Sequence, residues 1–306
     1  MKKELLLVFA FLLLLLGLAI VASIFFAGNT EGESYFFAGE QIAVIPLKGE
    51  IASEQGAFSS ALSSQEVIDR LEAAENDSSV GAILLDIDSP GGTIVSTKQI
   101  VAKVRQIKKP IVSWIGETGA SGAYYIAAAS DYIIADEDSI TGSIGVLSVS
   151  ANIEGLLEKI GVKVKILKEG KFKSMGSPYE EMTPEEEQLI QTLLSEAFSH
   201  FKRDILSFRK EKLSAEKLEE IADGRILSGS QAKQLGLIDE LGTREQAIQK
   251  TASLAGIKGK PITMDYSKKQ LGLFSIFSEA GKAMANGFLQ NLSENSGNSG
   301  ITELKT

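Results

Sequence analysis

Three features of this sequence predict an α/β fold. Short apolar runs alternate with amphipathic stretches along most of the chain, the pattern of strands interleaved with helices. The composition, 44% hydrophobic and 23% charged over 306 residues, is that of a folded protein with enough apolar mass for a sizeable core. No internal repeat breaks the order, so a single domain over residues 41–264 accounts for the alternation.

The first element stands apart from that domain. Leu5–Ala27 reads LLLVFAFLLLLLGLAIVASIFFA without a charge; as a helix it would span roughly 35 Å, enough to cross a bilayer. It is longer than the apolar core of a cleaved signal peptide, which runs to about 7–15 residues, so the expectation is an uncleaved single-pass transmembrane helix. Residues 1–4 carry Lys2 and Lys3, and the next basic residue is Lys48. The positive-inside rule then keeps this N-terminus cytoplasmic and places the domain beyond the outer face of the cell membrane.

After an acidic, glycine-containing linker over residues 28–40, runs rich in Val, Ile and Leu predict strands at Ile42–Leu47, Val80–Ile87, Ile111–Ile115, Tyr132–Ala135, Ile144–Val149 and Val162–Leu167. Helical periodicity marks Gln65–Ala74, Thr93–Ile107, Gly122–Ala129, Ile153–Ile160 and Pro184–Phe208. The last opens on Thr183-Pro184-Glu185-Glu186, a capping box with proline at the first helical position. Residues 265–306 hold one more amphipathic stretch, Leu271–Leu289, then a Ser-, Asn- and Gly-rich tail expected to be mobile. That stretch suits packing on a neighbouring protomer, lying on membrane lipid, or approaching a site.

The chemistry is bounded by a shortage. The chain has no cysteine and one histidine, His200. That removes thiol nucleophiles, disulfide scaffolds, cysteine-held clusters and metal sites needing several imidazoles, and no Walker pattern calls for a nucleotide. If the chain is an enzyme, its acids and bases are mostly something other than histidine, and the sequence calls for no cofactor and no metal. A net charge of −9 also argues against nucleic acid as a partner, because phosphate backbones are held by clustered Lys and Arg.

Two loops join an apolar strand to a helix through small residues, where backbone amides become free to bind an anion. Asp88-Ser89-Pro90-Gly91-Gly92 reads either as an oxyanion hole or as an ordinary tight turn. Thr118-Gly119-Ala120-Ser121-Gly122 holds a serine that is either an uncrowded nucleophile at a helix start or that helix's N-cap. It has the logic of a nucleophile elbow without the usual GxSxG spacing. A nucleophilic serine needs a base, and His200, on a helix one turn before Asp204, reads as a surface or packing residue.

Lysine is the available substitute. A free lysine has a pKa near 10.4, so bringing it to about 7 takes roughly 4.6 kcal/mol in favour of the neutral form, which burial or a like-charged neighbour can supply. Lys168, Lys171 and Lys173 lie within six positions, and spacing alone selects none of them.

Together, SPGG at Ser89–Gly92, ASGAYYIA at Ala120–Ala127, TGSIGV at Thr141–Val146, GKFKSMGSP at Gly170–Pro178 and GRILSGSQAKQLGLIDELG at Gly224–Gly242 resemble the signal peptide peptidase A family of membrane-bound serine peptidases. The likeness runs from about Ile42 to Ala255, with the five motifs in the family's order. It implies Ser121 as nucleophile, Lys173 as general base and Ser143 as the residue that orients the lysine. It also implies an oxyanion hole from the amides of Gly91, Gly92 and Gly122. The implied fold is the Clp/crotonase-like spiral of strand-strand-helix units. The implied assembly is a homo-oligomeric ring in which Ser and Lys come from adjacent protomers, and the implied substrates are remnant signal peptides and other apolar, unfolded peptides. Ala123 and Ser174 depart from the family, which often has Gly and Asp there. Two other readings share parts of the pattern: a crotonase-like acyl-CoA hydratase or isomerase, and a membrane scaffold without chemistry.

Overall fold

The computed structural model describes residues 40–53 and 61–267. The expected span at Leu5–Ala27, the linker before Glu40 and the stretch Leu271–Leu289 lie outside the described residues. Among the described residues no helix is long and apolar enough to cross a membrane.

Strand β1 (Gln41–Lys48) leads through the short strands β2 (Ile51–Ala52) and β3 (Leu62–Ser63) to helix α1 (Ser64–Asn76). Then come β4 (Val80–Ser89), α2 (Ile94–Gln106), β5 (Ile111–Ala120), α3 (Gly122–Ala128), β6 (Tyr132–Ala135) and β7 (Ile140–Gly142). The remainder is α4 (Glu154–Lys159), α5 (Pro184–Arg209), α6 (Ala215–Ile221), β8 (Ile226–Ser228), α7 (Gly229–Leu235), β9 (Glu240–Leu241), α8 (Arg244–Leu254) and β10 (Ile262–Asp265).

The main sheet runs β10-β1-β4-β5-β6-β9 with every pair parallel. Strand β5 is shared between two neighbours. Val112–Ile115 pairs with β6, whereas Thr118–Ala120 pairs with β7, which in turn pairs antiparallel with β8. Both faces of the sheet are covered, as a parallel sheet requires. Ile42, Val44, Leu84, Val112 and Ile134 pack with Ala247, Ile248 and Ala252 of α8. The alternate residues, among them Ile45, Leu47, Ile83, Leu85 and Ile87, join the larger core with α1, α2 and α3. The helices fit this from their own spacing: α1 buries Val67, Leu71 and Ala74, and α2 buries Thr97, Ile100, Val101 and Val104. The capping box expected at Thr183 is formed, with Glu186 N–H donating to Thr183 Oγ1 and Thr183 N–H to Glu186.

Two expected strands are not strands. Ile144–Val149 and Val162–Leu167 have the β-branched alternation of a strand, but no other segment among the described residues supplies a ladder for them. Leu147, Val149, Val162, Val164 and Leu167 are exposed instead. The strand of this region is the preceding Ile140–Gly142, which composition did not mark.

Candidate active site

Strands β5 and β7 end in register, Ala120 opposite Gly142, so Ser121 and Ser143 leave neighbouring strand ends together. Both have φ of 52°, and they are the only non-glycine residues with positive φ among the described residues. Such a backbone costs on the order of 1–3 kcal/mol and persists only where the surroundings fix it. Here Ser121 N–H donates to Gly142 O at 2.9 Å, and Ser143 N–H donates to Arg225 O at 2.8 Å.

The helix after Ser121 is a rigid support. Every residue of α3 is buried. Tyr124 O–H donates to Leu237 O at 2.9 Å, and Tyr125 O–H donates to Asp204 while its ring stacks on Phe201 at 4.7 Å between centroids. Burial pushes both phenols up, reinforced at Tyr125 by the Asp204 carboxylate, so both remain protonated donors. Ser121 occupies the N-cap position of α3, yet its hydroxyl makes no capping hydrogen bond. It is half-buried and uncommitted among the described residues.

The glycine loop closes on this serine from the β4 side. Gly91 has φ of 104°, a region that favours glycine, and a Cβ there would stand 2.7 Å from Gly122 N and 3.0 Å from Ser121 Cβ. Gly92 lies against β2: Ile51 N–H donates to Gly91 O, Thr93 N–H donates to Ile51 O, and a Cβ on Gly92 would collide with the Ile51 carbonyl. The three amides expected to bind an anion differ. Gly91 N–H already donates to Ser89 Oγ at 3.2 Å, whereas those of Gly92 and Gly122 have no acceptor among the described residues. Gly92 is open to solvent.

The lysine segment shows a distinction that spacing did not. Lys168 pairs with Glu180 at 3.4 Å and also donates to Ser174, and Lys171 pairs with Glu185. The Lys173 side chain is exposed and has no hydrogen bond or ion pair among the described residues. It makes no hydrogen bond to Ser121 or Ser143, and neither does His200, which is half-buried on α5. The structure therefore gathers Ser121, Ser143, Gly91, Gly92 and Gly122 at one place and carries Lys173 on a separate exposed segment. No group of three or more Asp, Glu or His is placed to hold a metal among the described residues. The sequence reading passed over Thr97, buried on α2 against Gly122, because on a helix it reads as one more core position.

The profile of peptidase family S49 matches residues 103–258, about half of the chain, and that of Clp protease matches residues 53–134. A protein of Methanocaldococcus jannaschii, provisionally named a protease, is 35% identical over 92% of each chain. One of Enterococcus faecium, provisionally named signal peptide peptidase SppA, is 36% identical over 74% of this chain and 68% of its own. The chloroplastic serine protease SPPA of Arabidopsis thaliana is 29% identical over 80% of this chain and 37% of its own.

Proposed function

This chain belongs to peptidase family S49, with the serine-type peptidases named signal peptide peptidase A and protease 4, and on that premise we propose that it cleaves peptide bonds through a dyad of Ser121 and Lys173. The observation that carries the reading is the uncommitted Ser121 hydroxyl beside the free Gly92 and Gly122 amides. Neutral Lys173 Nζ takes the proton of Ser121 Oγ as Oγ bonds to the scissile carbonyl carbon. The carbonyl oxygen becomes an anion held by the Gly92 and Gly122 amides, while Gly91 shapes the loop. The lysine returns its proton to the departing amine, whose C–N bond breaks; it then takes a proton from the water that attacks the acyl-enzyme and passes it to Ser121 Oγ as the bond from Oγ to the acyl carbon breaks. Ser143 orients the lysine.

Lys173 reaches Ser121 across a subunit boundary in this reading, in a homo-oligomeric ring of Clp/crotonase-like spirals. Support comes from the exposed apolar side chains of Leu147, Val149, Leu156, Ile160, Val162, Val164 and Leu167, on the segment that carries Lys173. A second copy covering them would also desolvate the lysine and favour its neutral form. The substrates are remnant signal peptides and other apolar peptides. Ile94 and Val95, exposed two and three positions after Gly92, offer apolar surface beside the anion site. In this reading residues 5–27 anchor the peptidase domain, residues 41–264, outside the cell membrane, with residues 1–4 cytoplasmic, 28–40 the linker, and 265–306 an amphipathic stretch and tail.

The test is turnover of a leucine-containing peptide ester by the full chain beside Ser121→Ala and Lys173→Ala. Each variant is expected to lose on the order of a thousandfold in kcat. Wild-type turnover by either sinks the dyad. Labelling of Ser121 by a fluorophosphonate separates this reading from a crotonase, which has no activated serine.

A further inference from the structure

We infer that Thr97 is a positioning residue of this chemistry, setting the distance between the two anion-binding amides; the inference rests on the Ser121 reading above. Helix α2 starts just after Gly92, and α3 just after Ser121. Thr97, in the opening turns of α2, is where the two starts meet. A Cβ on Gly122 would stand 2.6 Å from Thr97 Oγ1 and 3.3 Å from both Thr97 Cγ2 and Gly92 N. The threonine side chain thus fills the space that a side chain at position 122 would need, at the point where Gly122 comes close to Gly92.

The choice of rotamer supports the inference. Thr97 is 2% exposed, and its hydroxyl has no hydrogen-bond partner. A helical threonine ordinarily satisfies its hydroxyl on the carbonyl one turn back, as Thr192 does on Gln188 O at 2.8 Å and Thr251 on Ala247 O at 2.7 Å. Thr97 forgoes that bond: Thr93 O receives only its backbone N–H. The oxygen is turned to Gly122, where it is the smallest group that keeps the contact. An unpartnered buried hydroxyl is unfavourable for folding and calls for an explanation at a functional site. Solvent does not reach Oγ1, so Thr97 acts on a substrate only through the amides it spaces.

Thr97→Val puts a methyl group where the oxygen sits and moves Gly122 away from Gly92 by a few tenths of an ångström. Anion stabilisation depends on donor placement, so kcat in the full chain is expected to fall about 10- to 100-fold with KM within about twofold. Fluorophosphonate labelling of Ser121 should slow by a similar factor. Thr97→Ser keeps the oxygen and is expected within about threefold of wild type. Wild-type kcat and labelling in Thr97→Val overturn the inference. So does an equal fall in kcat and labelling for Val and Ser tracking a common loss of melting temperature, the signature of packing alone. Ser121→Ala, run alongside, separates the two levels. If it retains turnover, the dyad reading fails and Thr97 falls with it. If it is inactive while Thr97→Val turns over as wild type, only Thr97 is wrong.

Discussion

In the proposed mechanism the missing side chain of Gly92 serves backbone packing and chemistry at once. It lets Ile51 bridge to the loop and leaves the Gly92 amide pointing free. In Gly92→Ala the new Cβ meets a backbone carbonyl, which yields only if the loop or β2 shifts. The expected outcome is a loss of about 1–3 kcal/mol in urea denaturation, together with at least a tenfold fall in kcat from the displaced donor. His200→Ala is expected to leave kcat within about twofold of wild type on the same ester, since His200 bonds to neither serine. Within the candidate site, the strand-to-helix turns that carry Ser121 and the glycine pair were legible in the sequence because small residues there are a local signal, but the uncommitted Ser121 hydroxyl and the free Gly92 amide were not, since an N-cap and a tight turn fit the same residues. The free state of Lys173 was not, because it depends on Glu180 and Glu185 taking Lys168 and Lys171. Thr97 was not legible either, since its role arises where two helix starts meet.

Among the elements, the end of α5 is fastened to the sheet by a buried ion pair. Arg209 donates to Asp239 at 2.8 and 3.0 Å and to Gly236 O at 3.0 Å, and Asp239 also accepts from Lys212 and from Ile133 N–H at 2.8 Å. The paired side chains are 3% and 2% exposed. Burial alone would raise the Asp239 carboxyl, but the hydrogen bonds from Arg209, Lys212 and the Ile133 amide, with the charge of Arg209, outweigh it and hold the group below its ordinary value of 3.8. A carboxylate depressed in the folded state stabilises the fold above that ordinary value, and the contribution disappears as pH falls through the folded value. Melting temperature should therefore change little from about pH 8 to 5 on this account and decline below about pH 4. Asp239→Asn should lose about 3–5 kcal/mol at neutral pH, because it leaves Arg209 buried without its counter-charge, and should show a shallower acid decline. The long strands and α1 to α5 were legible from periodicity. The two- and three-residue strands β7, β8 and β9 were not, because they owe their extended shape to a neighbour, not to an apolar run of their own.

At the scale of the whole molecule, residues 146–182 stand out by their bonding. Their hydrogen bonds run among themselves, as from Ile153 N–H to Pro178 O, and to Glu185 at the start of α5. A strand-like pattern without a ladder, bearing exposed Leu, Ile and Val beside an unpaired lysine, is the expected state of a segment whose partners belong to another copy. If so, Ser121→Ala and Lys173→Ala, each inactive alone, should complement when co-assembled. A junction is productive when the serine comes from the Lys173→Ala protomer and the lysine from its Ser121→Ala neighbour. In a head-to-tail ring of equal, randomly mixed protomers that holds for about one junction in four, so turnover should recover to roughly a quarter of the wild-type level. Subunits must exchange for this to occur, so the two variants are to be co-expressed with different tags and purified through both. A doubly tagged assembly without activity would place both residues of each dyad on one chain. Recovery near a quarter would place them on two, and would explain why the lysine segment is free of the fold that bears the serine.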